Sequence, residues 1–209
     1  MFADYNWIVL DTETGGLSSD KNLIVEIACC AIDTNLTDIG EYTSLIKPYD
    51  NTKSIMSQAL QANGLTLEDI NSGKDSKIVI SELIDFFKKN KRGNKKPIIV
   101  GHNIDFDISF LVEFFSFHKK DITDFVEEKT EDTMWWSRYR WQESVNYKLG
   151  TCVSNAGLEL VNAHRALTDT RATKELFKTF IRNLRGEGVS GNNVPDLAKN
   201  KRYREKFQF

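Results

Sequence analysis

The sequence predicts a single α/β domain, in which a mixed sheet, an antiparallel meander plus parallel strands, is flanked by helices. Three observations point there. Three apolar, β-branched runs fall in the first 46 residues with turn residues between them. Helical periodicity then alternates with a short buried strand. The chain has 209 residues, enough to bury a sizeable core in one domain but not in two.

In order along the chain, residues 7–10, 23–32 and 41–46 read as the strands of the meander. Residues 54–62 and 67–70 read as short helices around Gly64, and 78–87 repeats apolar residues at helical spacing. A polar loop at 93–96 leads into a short buried strand at 97–100. Residues 105–117 form a strongly apolar helix, 131–141 and 148–158 two more, and 166–184 a long final one. The domain ends at about residue 185. Residues 186–209 are expected to be a glycine-rich linker and a basic tail carrying Lys199, Lys201, Arg202, Arg204 and Lys206.

Bulk properties narrow the class without naming a function. An apolar fraction of 40%, a charged fraction of 28% and only 3 prolines describe a globular protein. A net charge of -2 excludes a globally basic nucleic-acid binder, though a local patch survives such a balance. Three cysteines without a pairing or metal-binding pattern suit a reducing compartment. With neither a leader-like start nor an apolar run of membrane-spanning length, the expectation is a cytoplasmic protein.

The chemistry is carried by acids placed where apolar residues are expected. Asp11 and Glu13 stand two apart at the end of the first strand, so the pleat points both to one face. Asp107 heads a stripe of Phe110, Leu111, Phe114 and Phe115 at helical offsets, whereas Asp105 falls on another face. Asp169 heads a similar stripe through Thr173, Leu176, Phe177, Phe180 and Leu184. A buried unpaired carboxylate costs several kcal/mol, on the order of what one interaction rarely returns, so each placement demands a partner. If the first strand runs between the two helices, the four acids converge, and a hard divalent cation is the natural partner. His164, five residues before Asp169, is expected on the loop entering the last helix, where it is suited to act as a general base.

Three segments resemble the motifs of the DEDDh (DnaQ-like) exonuclease family: Asp-Thr-Glu-Thr-Gly-Gly-Leu at 11–17, His-Asn-Ile-Asp-Phe-Asp at 102–107 and His-Arg-Ala-Leu-Thr-Asp at 164–169. Fainter echoes are Asp132-Thr133 and Lys148-Leu149. The resemblance covers about residues 5–184. It implies an RNase H-like fold and 3′→5′ hydrolysis of single-stranded nucleic acid to nucleoside 5′-monophosphates. Two divalent cations, Mg²⁺ with Mn²⁺ as a substitute, would be held by Asp11, Glu13, Asp107 and Asp169, with His164 deprotonating the attacking water. It further implies that Thr12, Thr14, Gly15, Leu17, Asn103 and Phe106 meet the terminal nucleotide. One departure is Asn63, where the family often has histidine.

The expected substrate is a single-stranded DNA 3′ end, in proofreading or DNA processing. The alternatives are an RNA trimmer of the RNase T or oligoribonuclease kind and a silent binding module that keeps only the fold. The expected partner of the basic tail is a DNA polymerase or another replication or repair protein. His102 is expected to be a structural hydrogen-bonding residue. Trp135, Trp136, Tyr139 and Trp141 are expected in the core. The basic run from Lys88 to Lys96 is expected to be a solvated helix end and loop, with a phosphate-tracking patch as its alternative.

Overall fold

The computed structural model describes residues 4–159 and 165–187. Five strands form one sheet in the order β3-β2-β1-β4-β5, with β1 at Trp7–Thr14, β2 at Ile24–Ile32, β3 at Asp38–Leu45, β4 at Ile98–Gly101 and β5 at Thr130–Asp132. β1, β2 and β3 are an antiparallel meander, while β4 and β5 add parallel strands beside β1. Helices α1 (Ser57–Asn63), α2 (Leu67–Ser72) and α3 (Ser76–Lys89) follow the meander. α4 (Ile104–Phe117) lies between β4 and β5, and α5 (Thr133–Arg140), α6 (Leu149–Asn155) and α7 (Ala166–Leu184) complete the chain. This is the RNase H-like α/β architecture.

The alternation of β1 divides the core into two layers. Its even residues Ile8 and Leu10 pack with Leu83 and Phe87 of α3 and Phe110, Leu111 and Phe114 of α4. The odd residues Trp7 and Val9 pack with Phe177 and Ile181 of α7, and Trp7 meets Phe177 edge-on at 5.5 Å. β1 therefore runs between α4 and α7, as the acid placement required. Cys29 and Cys30 fall in opposite layers, as neighbours on a strand must.

Several expected bounds shift. β1 continues beyond the apolar run at 7–10 through Thr14, so Asp11 and Glu13 lie within its far half and share a face as the pleat required. The helix expected from Glu131 begins at Thr133, because residues 130–132 pair in parallel with β4 and Asp132 caps the helix by accepting from Met134 N at 2.8 Å. Leu184, expected on the buried stripe of α7, is 65% exposed at the helix end. Trp136 and Trp141 pack on Phe180 as expected, but Trp135 and Tyr139 are on the outside of α5. Among the described residues no helix is long and apolar enough to cross a membrane. The basic residues 199–206 lie outside the described residues.

Candidate active site

The site forms where β1 outruns its parallel neighbour. β2 pairs with β1 all the way to Thr14, but β4 reaches only Trp7, Ile8 and Val9. The far half of β1 is left open on one edge, and the first turn of α4 docks against it. Asp107, only 4% exposed, accepts the backbone N–H of Thr12 at 2.9 Å and its hydroxyl at 2.7 Å on one oxygen, Oδ1. A side chain thus replaces the missing ladder partner. Asp105, two residues earlier, is exposed, as the helical period required.

Asp11 and Glu13 project from the opposite face of β1, toward α7, where Asp169 sits in the first turn. One carboxylate oxygen from each of Asp11, Glu13 and Asp169 can be chosen so that all three lie within 4.8 Å of one another. Asp107 stands outside this group of three. Its charge nevertheless acts on Asp11 more strongly than any other neighbouring acid does.

The electrostatics record the crowding. Burial, then the charges of Asp107, Glu13 and Asp169, hold the Asp11 carboxyl well above the usual carboxylate range. Burial and the charges of Asp169 and Glu26 push Glu13 up to about 8, with Arg165 pulling the other way. Asp107 rises to about 7 through burial, although both Thr12 bonds oppose the rise. Solvent reaches Asp11 and Glu13 in part, but the protein packed around them still makes desolvation the largest cause.

A fifth acid organises the site from outside it. Glu26 of β2, 3% exposed, lies opposite Glu13 in the strand register and accepts both Nε and Nη2 of Arg165, at 3.2 and 2.9 Å. It also accepts from the backbone N–H of Ala166 at 3.3 Å, which ties the start of α7 to the sheet. Sequence reasoning passed over Glu26, although a charge inside an apolar, β-branched run was the available signal. Among the described residues, no lysine or arginine forms an ion pair with Asp11, Glu13 or Asp107. Three carboxylate oxygens brought this close together are a donor set that fits hard divalent cations.

The expected nucleotide contacts fall into two groups. Thr12 spends its hydroxyl on Asp107, and Thr14 donates its own to the Gly16 carbonyl at 2.7 Å, so both side chains are turned inward. Gly15 passes so close to the chain at 54–55 that an added Cβ would stand 2.9 Å from Ile55 Cα, a packing demand independent of any ligand. By contrast Leu17 is 88% exposed, Asn103 is exposed with a left-handed φ of 68°, and Phe106 is half-buried against Phe110. Asn63, the departure from the family pattern, donates to the Thr14 carbonyl at 3.1 Å and so braces the loop after β1. His164, the expected base, lies outside the described residues.

His102 is structural, as expected. Its Nε2–H donates to the Tyr147 carbonyl at 2.8 Å and Nδ1 meets the Thr133 hydroxyl at 2.9 Å, while burial lowers its pKa. The basic run has no place at the site: residues 91–96 precede β4, at the end of the sheet opposite Asp11. There Lys95 pairs with Asp4 and Lys96 donates to the Thr123 carbonyl.

Comparison with known proteins agrees with this geometry. The exonuclease family model (RNase T) matches residues 8–177. DNA polymerase III of the PolC type from Caldanaerobacter subterraneus subsp. tengcongensis is 30% identical over 183 residues, and its counterpart from Thermotoga maritima 29% over 189. These alignments cover 88% and 90% of the chain but only 12% and 13% of the relatives' length. Among solved structures, E. coli exonuclease I in complex with a dT13 oligonucleotide superposes with a TM-score of 0.71 at 19% identity, covering 88% of this chain and 42% of that one.

Proposed function

Because the chain belongs to the DEDDh family of 3′→5′ exonucleases, we propose that it trims single-stranded DNA from the 3′ end and releases nucleoside 5′-monophosphates. The observation that carries this reading is the meeting of Asp11, Glu13 and Asp169 with no basic side chain to neutralise Asp11 or Glu13. Asp11, Glu13 and Asp169 would hold one divalent cation, and Asp11 with Asp107 a second, Mg²⁺ or in its place Mn²⁺. Bound there, such cations stabilise the charge on the entering and leaving oxygens of an in-line displacement.

The protein's own groups divide the remaining work. Thr12 fixes the Asp107 carboxylate with two donors, and Glu26 fixes the α7 start that presents Asp169. His164, in the segment leading into α7, takes the proton of the attacking water. Leu17, Asn103 and Phe106, which present accessible surface, bear on the terminal nucleotide. DNA rather than RNA is supported by the PolC-type relatives, which are DNA polymerases, and by the oligonucleotide bound to exonuclease I. A DNA polymerase or another replication protein remains the partner proposed for the basic tail, and deleting residues 186–209 should abolish its co-purification.

The test is a gel of single strands labelled at either end, incubated with Mg²⁺ and then with chelator. A ladder shortening from the 3′ end in Mg²⁺ alone is expected, and Asp11→Ala should abolish it while the protein stays folded. Faster loss of RNA than of DNA would overturn the substrate, and no product from any strand would favour the silent module.

A further inference from the structure

The outer face of α5 carries aromatic surface that the mechanism above does not use. Asp132, the last residue of β5, accepts the backbone N–H of Met134 at 2.8 Å and that of Asn103 at 3.0 Å. α5 is thereby fixed at the carboxyl ends of β4 and β5, the end of the sheet at which β1 presents its acids. β5 lies two strand spacings, about 10 Å, from β1. The inner face of the helix is held by Trp136, whose ring lies 6.0 Å from that of Phe177.

Trp135, Arg138 and Tyr139, at offsets of three and four, share the outer face. Trp135 is 47% exposed and Tyr139 74%. The guanidinium of Arg138 lies 4.5 Å from the Trp135 ring centroid and 5.6 Å from that of Tyr147. Tyr147 is itself anchored to the site, because its carbonyl accepts from His102, the residue after β4. The helix sequence Thr-Met-Trp-Trp-Ser-Arg-Tyr-Arg contains two arginines and no acid.

We infer that this face is a stacking ledge for the nucleotides of single-stranded DNA that lie on the 5′ side of the bond being cut. The inference rests on the exonuclease reading and extends it to where the rest of the strand runs. An exposed indole steadied by a guanidinium offers a base a flat partner that is already ordered, and the cation faces the phosphates between bases. Stacking tolerates any base, as stepwise digestion requires. The ledge continues from the site along the strand ends, so one strand can reach both.

The test compares a strand of about a dozen thymidines with a dinucleotide, which is too short to leave the metal-binding acids. Trp135→Ala should raise KM for the long strand about tenfold or more, with kcat and dinucleotide cleavage unchanged, and Trp135→Phe should restore most of the loss. Arg138→Ala should weaken binding of the long strand and flatten its salt dependence. Equal losses on both substrates, or none on either, would overturn the ledge. If the unmodified protein cuts no strand, the exonuclease reading falls by itself. Binding of the same labelled strand in chelator, measured by fluorescence anisotropy on the same variants, then decides the ledge separately.

Discussion

Replacing Glu13 with Gln probes the burial and the mutual repulsion that oppose ionisation in the site. In the metal-free protein the Glu13 carboxyl is moved from 4.5 to about 8, and at roughly 1.4 kcal/mol per pH unit this sets about 4–5 kcal/mol against ionisation. Solvent reaches part of the side chain, so about 3 kcal/mol is the working figure. A raised folded-state pKa contributes stability that is fully present below 4.5 and is lost as pH rises through about 8. Asp107 acts in the same direction between 3.8 and about 7. In chelator the melting temperature should therefore fall as pH rises from 5 to 9, by about 6–12 °C for the Glu13 share in a chain of this size. Glu13→Gln should remove the Glu13 share of the fall across pH 5 to 8, which is the main change left above pH 7 where Asp107 no longer contributes, and melt higher than the unmodified protein at pH 9. With saturating Mn²⁺ the order should reverse, because the cation needs the ionised carboxylate and binds the native state alone. Thermal melts across pH, with and without metal, read all of this. A flat profile in chelator, or a variant that melts lower at pH 9 without metal, would refute the reasoning.

The other expectations concern the groups that position the acids. Thr12→Val removes the hydroxyl bond to Asp107 but keeps the backbone one, so Mn²⁺ affinity measured by calorimetry should fall about 10- to 100-fold while the fold persists. Glu26→Gln should cost about 1–3 kcal/mol, because the orphaned Arg165 is half exposed and water takes over. Arg165→Gln should cost more, about 3–5 kcal/mol, because it strands a carboxylate that is 3% exposed; chemical denaturation that ranks the two the other way would contradict the pairing. Leu17→Ala, at an 88% exposed position, should shift stability by less than about 0.5 kcal/mol, yet raise KM in a steady-state assay.

What the sequence disclosed follows from how locally each feature is encoded. α7 runs from Ala166 to Leu184 as its apolar period indicates, and the alternation of β1 was enough to put Asp11 and Glu13 on one face. β5 was hidden because three polar, half-buried residues show no period, and its pairing with β4 is decided by partners about 30 residues away. The outward turn of Trp135 and Tyr139 was equally hidden, since it depends on the face of α5 that α7 claims. The tether from Thr12 to Asp107 exists only because β4 ends early, which no motif announces. Glu26 was visible as a charge in an apolar run, but its meaning needed Arg165, 139 residues later.

That pairing bears on why the site stays competent for cations. The charge of Arg165 lowers the Glu13 pKa, so an arginine released from Glu26 would compete with metal for the carboxylates. Glu26 prevents this by position. It is nearly inaccessible to water, it offers both oxygens, and the backbone of Ala166 shares one of them, so leaving Glu26 would strand a buried charge while Glu13 offers a more solvated partner. The same interaction fixes the helix start that presents Asp169. One ion pair therefore ties down the helix start that presents Asp169 and holds the adjacent arginine on Glu26, which is why Asp11 and Glu13 stand beside it without an ion pair of their own.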